Sequence, residues 1–337
     1  MATETPAAAE PTGPVPVNGT APKGTTSNGT VTVFRLAAGF TFLAVAMGAV
    51  VCATGSGFAC STWPGCRPGA VAPHWEVSPV IEFTHRLVAI SSAPLLLAAG
   101  LLSLRLAHRD VWVRVLPWLA LAGAAVAGAF GRLVVLSGVS TWQAAIDVTC
   151  ALTAMTVMGI AAVRIAPPSP VEVMSADDDA AVPVSRRQAV RPVQLAGAGV
   201  VVLIAMQIAG LFTAGKGSFT ACMGWPLLQL VDGDRYPWLQ VTRLVLAGVA
   251  AVLVVGTALL CAQHERLRPW AYVLVGLLVA ELALGLVIGD GGASGGLRSV
   301  YSVIAVLLLE GLGLLTAVAR VRRLVAAPAA PAESITV

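Results

Sequence analysis

The sequence has little charge, since only 11% of its 337 residues are Asp, Glu, Lys or Arg while 57% are hydrophobic. A soluble domain carries about 25% charged residues, so this chain lacks the polar side chains that would cover a solvated surface. The composition excludes a water-soluble globular protein and predicts an integral membrane protein. Residues 1–30 also lack the basic start and apolar core of a cleaved signal peptide. Rich in Pro, Thr, Ala and Gly, they predict a disordered tail.

Eight apolar runs have about the 20 residues that a membrane-spanning helix needs. They lie near 33–54, 79–103, 113–136, 141–164, 193–214, 237–262, 270–289 and 298–319. They predict an all-α integral membrane protein with eight transmembrane helices. The predicted parts are a disordered cytoplasmic tail 1–32, a first four-helix bundle 33–164, a cytoplasmic linker 165–192, a second four-helix bundle 193–320 and a cytoplasmic tail 321–337.

Basic residues predict the orientation of these helices. Most of the 21 Lys and Arg residues fall on the side of the two termini and the linker. In membrane proteins the side with more Lys and Arg is usually the cytoplasmic one. We therefore expect a multi-pass protein of the cell membrane, with the lipid bilayer as its partner and both termini in the cytoplasm. The net charge of +4 reflects this topology and does not indicate a nucleic-acid partner.

The two halves of the chain carry similar motifs in the same order. The first half contains TGSGFACSTWPGC, HRLVA and GRLVVLSG, and the second contains TAGKGSFTACMGWPLL, TRLVLA and GLVIGDGG. Both halves cross the membrane in the same direction, so the repeat is parallel, related by an axis along the membrane normal. The pattern predicts two four-helix bundles side by side, and the core of such a bundle is a common place for a cofactor.

Ionisable residues at the start of the second run predict a functional site. Glu82 precedes His85 by three residues and shares its helix face, and Arg86 follows directly. Such groups are costly within a membrane and often mark function, although interfacial side chains with their tips in water are the alternative. Two deeper acids, Glu281 and Glu310, predict either a polar path or carboxyl groups that are hydrogen-bonded inside the core.

Together these motifs resemble the heme A synthase family, membrane enzymes that oxidise the C8 methyl group of heme O. The resemblance rests on EFTHR at 82–86, on Cys60 and Cys66 around a Trp-Pro pair, on GRLVVLSG and on the eight-helix parallel repeat. It covers about residues 33–320. It implies heme, of b or o type, as a cofactor, and a heme O synthase or the assembly factors of a terminal oxidase as partners.

The resemblance also assigns roles to residues. It implies that His85 is a heme-iron ligand, that Glu82 is a catalytic residue, and that Cys60 and Cys66 form a disulfide; on spacing alone, two free thiols remain the alternative. The remaining cysteines have no obvious partners: Cys52, Cys150, Cys222 and Cys261.

The chain departs from the family pattern at three of the four positions expected to hold heme-ligating histidines. These positions carry Asp147, Thr242 and Tyr301. Asp147 is expected either to hydrogen-bond His85, as carboxylates do beside ligating imidazoles, or to be one of several polar residues around a pocket. Tyr301 is expected either to bind an iron, as tyrosine does in catalase, or to be an ordinary tyrosine near the membrane interface.

Two arginines and the missing ligands leave three functions open. Arg86 and Arg243 are expected to pair with heme propionates or with lipid head groups. The chain is then a heme-oxidising enzyme, a non-catalytic protein that binds heme or assists oxidase assembly, or a small-molecule transporter with a polar cavity between its halves. Whether it is an enzyme is open at this point.

Overall fold

The protein is an all-α, multi-pass membrane protein. The computed structural model describes residues 27–106, 110–138, 140–166, 186–213, 223–226, 237–265, 267–291 and 294–325. In chain order its helices are α1 (Asn28–Thr54), α2 (Val77–Leu104), α3 (Val111–Ser137), α4 (Thr141–Ile165), α5 (Arg186–Thr213), α6 (Pro237–Ala262), α7 (Arg268–Gly291) and α8 (Gly295–Val325). Each is long and apolar enough to cross a membrane, which confirms the predicted fold class.

Several helices extend beyond the predicted apolar runs. Helix α1 begins at Asn28 because the Ser27 side chain accepts the Thr30 N–H and caps it. Helix α5 begins at Arg186, inside the expected linker, and α8 continues to Val325. Hydropathy detects only the part of a helix in hydrocarbon, whereas backbone hydrogen bonding continues into the polar region. The rest of the expected tails and linker, at 1–26, 167–185 and 326–337, lies outside the described residues.

The helices pack in two rings of four. In the first half α1 contacts α2, α2 contacts α3, α3 contacts α4, and α4 returns to α1. Helices α5 to α8 repeat this order in the second half. The halves meet along a seam in which α1 and α4 contact α8, and α4 also contacts α5. Each ring is the closed arrangement in which facing helices can hold a site between them.

Each ring encloses an apolar core. Phe34 and Leu96 are fully buried in the first. The second core is built around residues such as Leu203 and Leu274, and it continues across the seam to Met155 of α4. Because the surroundings are so uniformly apolar, a buried polar side chain needs a specific partner. The positions of those partners locate the candidate site.

Candidate functional site

The first half places a buried ion pair at one end of its bundle. This end, here named the loop end, is where α1 joins α2 and α5 joins α6 through loops that carry the Trp-Pro pairs. Glu82 and Arg86 lie one turn apart on α2 and form a salt bridge. They are only 3% and 7% exposed, so they are not interfacial side chains with their tips in water.

The Glu82–Arg86 pair holds the first Trp-Pro loop. The Cys60 N–H donates to Glu82 Oε2 at 2.8 Å, while Arg86 Nη1 donates to the carbonyl oxygens of Thr62 at 2.5 Å and Gly65 at 2.9 Å. Arg86 Nη2 donates to the other carboxylate oxygen. A buried ion pair is tolerated when such hydrogen bonds satisfy its remaining donors and acceptors. Both oxygens of Glu82 are therefore engaged in fixing the loop.

The same loop contains the expected disulfide. Cys60 and Cys66 are bonded, which confirms their pairing. Cys52 is also disulfide-bonded, so the expectation that it has no partner is wrong. Cys150 and Cys261 are free thiols, and Cys222 lies outside the described residues.

His85 faces helix α1 at a glycine. The residue is half-buried. A Cβ built on Gly48 would lie 3.2 Å from His85 Nε2 and 3.8 Å from each of the two ring carbons beside it. Nε2 therefore points directly at Gly48. The missing side chain allows the imidazole to approach the α1 backbone, which a larger residue would prevent.

Asp147 lies half-buried on α4. Among the residues that the structure describes, it makes no hydrogen bond, and so none to His85. Cys150 lies one turn further along the same helix. The structure thus places Asp147 in the first bundle but does not join it to the imidazole. Its expected role beside His85 stays a prediction.

The second half gathers four polar side chains at the loop end, one from each helix. Gln207 of α5 donates to the Met223 carbonyl at 2.6 Å. Arg243 of α6 donates to the Gly224 carbonyl at 2.9 Å. The other two bonds go to a single residue of the loop, Trp225: its N–H donates to Glu281 Oε1 of α7 at 3.2 Å, and its carbonyl accepts from the Tyr301 hydroxyl of α8 at 2.9 Å.

These contacts place Arg243 and Tyr301 in one cluster, but bound to the protein's own loop. The Tyr301 hydroxyl donates to a carbonyl oxygen, and only 1% of the residue is exposed. Tyr301 is thus buried inside the bundle and bound to the loop. Its expected role as an iron ligand, and that of Arg243 beside a propionate, remain predictions.

Two residues of these clusters escaped the sequence analysis. Gln207 is an uncharged amide within the apolar stretch 195–212 of α5, and a polar side chain within such a stretch was the available signal. Gly48 carried no signal, because a glycine in a membrane helix is common and nothing in the sequence shows what it faces.

The deeper acid Glu310 lies in the seam between the halves. A Cβ on Gly159 of α4 would overlap its carboxyl group, and Thr156 of α4 lies beside it. The glycine makes room for the acid where two helices meet. Glu310 therefore belongs to the contact between the bundles and not to the cluster at the loop end.

Comparison with known proteins adds no identification, since no family model and no curated protein matches the sequence. Within the described ranges, no group of three or more His, Cys, Asp and Glu side chains could hold a bare metal ion.

Proposed function

We propose that this membrane protein handles heme and that His85 binds the heme iron in the first bundle. The observation that carries the proposal is the half-buried imidazole inside a four-helix ring, facing a glycine. A single proximal histidine is a sufficient protein ligand for heme. The resemblance of EFTHR, the paired cysteines and the repeat to heme A synthases supports the same class of ligand.

The residues present fit a single-histidine site better than a site with two ligands. The first bundle supplies one half-buried imidazole, His85, and the surrounding helix faces would supply the apolar walls that a porphyrin needs. The proposal also includes Asp147 of the same bundle, as a polar side chain that would help to bind the heme. Bound heme would supply redox chemistry, and the chain would supply the ligand, the apolar walls and a loop that covers the end of the bundle.

The family reaction, oxidation of the heme O methyl group, is the enzymatic form of this proposal, with Glu82 as the catalytic carboxylate. One observation favours a non-catalytic form instead. Both Glu82 oxygens are hydrogen-bonded, one to Arg86 and one to the Cys60 N–H, and a carboxylate so engaged is poorly placed to exchange a proton with a substrate. Binding or delivery of heme for oxidase assembly needs no such exchange.

The absorption spectrum of the purified protein tests heme binding. After expression with ample heme, we expect a Soret band in the wild type and its loss in His85→Ala. His74→Ala is the matched control, because His74 is an exposed histidine of the first loop and its removal should leave the band unchanged. A wild type without heme, or a His85→Ala protein with an unchanged band, would contradict the proposal and favour a transporter.

Heme extraction separates the two forms of the proposal. In cells that also make heme O, the appearance of heme A would support the enzyme, and its loss in Glu82→Gln would assign the carboxylate. Heme A that never appears, although bound heme is seen in the purified protein, would establish the non-catalytic form.

A further inference from the structure

We propose that the loop end of the second bundle is a binding site for a peptide main chain, and that the protein fills it with its own residues 223–225. The site consists of Gln207, Arg243, Glu281 and Tyr301, named here the main-chain cluster. This inference concerns the second half and does not depend on heme binding by the first.

Each of the four side chains makes a hydrogen bond to the backbone of the segment. Three carbonyl oxygens, of Met223, Gly224 and Trp225, accept bonds from the amide, guanidinium and hydroxyl groups, and the Trp225 N–H donates to the carboxyl group. The four side chains are between 0% and 5% exposed. Backbone groups buried at this depth need partners inside the protein, and the cluster provides them from all four helices of the ring.

Two glycines allow this close fit. A Cβ on Gly224 would overlap the Tyr301 ring, and a Cβ on Gly210 would lie 2.9 Å from the Arg243 guanidinium. One glycine lies in the segment and the other in α5, so both the bound peptide and the bundle wall are shaped for the contact. A side chain at either position would force the partners apart.

Backbone strain at Met223 indicates that the cluster imposes the conformation of the segment. Met223 has a φ of 64°, in the left-handed region that a residue with a side chain seldom occupies. Such a conformation persists only where surrounding contacts determine it. The bond from Gln207 to the Met223 carbonyl is the contact directly at this residue.

The first half differs at the matching position. Aligning the two loops on Thr54 and Thr213 places Gly48 opposite Gln207. Where the second half extends an amide to its loop, the first half has no side chain and leaves His85 facing α1. The second bundle therefore uses its polar groups to bind its own chain, and a ligand from outside would have to displace residues 223–225.

Hydrogen–deuterium exchange of the full-length protein in nanodiscs, read by mass spectrometry on peptides covering 223–226, tests this inference. We expect slow exchange in the wild type. Glu281→Ala, which removes the acceptor of the Trp225 N–H, and Tyr301→Phe, which removes one donor, should each speed exchange by about fivefold or more, the effect of one hydrogen bond. Glu281→Gln should exchange slowly, because only Oε1 binds the loop and a glutamine keeps that acceptor.

Glu310→Ala is the matched control, since it removes the buried acid of the seam and should leave exchange at 223–226 slow. The exchange of the α8 amides shows in each variant whether the bundle is still folded. Because Tyr301→Phe retains the aromatic ring, it is the variant in which we expect the fold to be disturbed least. The inference is overturned if the wild-type segment exchanges as fast as the loop around Trp75, which is 96% exposed. It is equally overturned if Glu281→Ala and Tyr301→Phe leave the exchange rate unchanged in a folded protein.

Discussion

Arg86 and Arg243 make the same hydrogen bond in the two halves of the chain. Each donates to the carbonyl oxygen of the residue that directly precedes a Trp-Pro pair: Thr62 at 2.5 Å in the first half and Gly224 at 2.9 Å in the second. Both guanidiniums are buried at the loop end of their own bundle. The sequence repeat thus has a structural counterpart, in which each arginine fixes a loop at the end of its own bundle.

Arg86→Ala should destabilise the protein strongly. It removes the partner of the buried Glu82 and three hydrogen bonds to loop carbonyl oxygens, those of Cys60, Thr62 and Gly65, and breaking a buried pair in this way costs about 3–5 kcal/mol. We expect a clear fall of the thermal unfolding temperature in detergent. Combining it with Glu82→Gln should recover part of the loss, because no unpaired charge then remains.

Arg132→Ala provides the comparison. Arg132 lies 5.4 Å from the centre of the Trp63 ring, a contact of about 0.5–1 kcal/mol at an exposed site, so its loss should lower the unfolding temperature only slightly. Equal effects of Arg86→Ala and Arg132→Ala would show that the buried pair does not hold the loop.

Gly48→Ala should disturb His85 specifically. The new methyl group would lie 3.2 Å from Nε2, so the imidazole must move by a few tenths of an ångström, and overpacking of this kind costs about 1–3 kcal/mol. If His85 binds heme, the Soret band should shift as well. Gly39→Ala on the same helix meets no atom within 4 Å and should change neither stability nor spectrum.

Gly159→Ala should weaken the seam between the two bundles. Its methyl group would overlap the Glu310 carboxyl group, so the Glu310 side chain would have to leave its place between α4 and α8. We expect a lower unfolding temperature and faster proteolysis of the long connection between the halves. Gly128→Ala, whose methyl group meets open space on α3, is the control, and equal behaviour of the two variants would exclude tight packing at the seam.

The helices could be predicted from the sequence, and the partners of the polar residues could not. Apolar runs report directly on transmembrane helices, so all eight described helices were expected, and Arg243, Glu281 and Tyr301 were recognisable as polar groups in apolar surroundings. Their partner is the backbone of Met223–Trp225, and backbone groups are the same in every residue. No pattern in the amino-acid sequence could show which peptide groups these side chains bind. Gly48 was unpredictable for a similar reason, because its role depends on the helix that faces it.

The orientation expected from the basic residues can be tested by chemical labelling, and this result decides on which side of the membrane the loop end lies. Trp75 in the first loop is 96% exposed and Val111 at the start of α3 is 59% exposed, and they lie at opposite ends of the first bundle because α2 separates them. We expect Trp75→Cys in intact cells to react with a membrane-impermeant maleimide, and Val111→Cys to react only after the cells are opened. The wild type, whose free Cys150 and Cys261 lie within helices, gives the background.

Reaction of Val111→Cys alone in intact cells would place the termini outside. The disulfide-bonded loop would then face the reducing cytoplasm, where such bonds rarely persist, so the predicted orientation and the Cys60–Cys66 bond support each other.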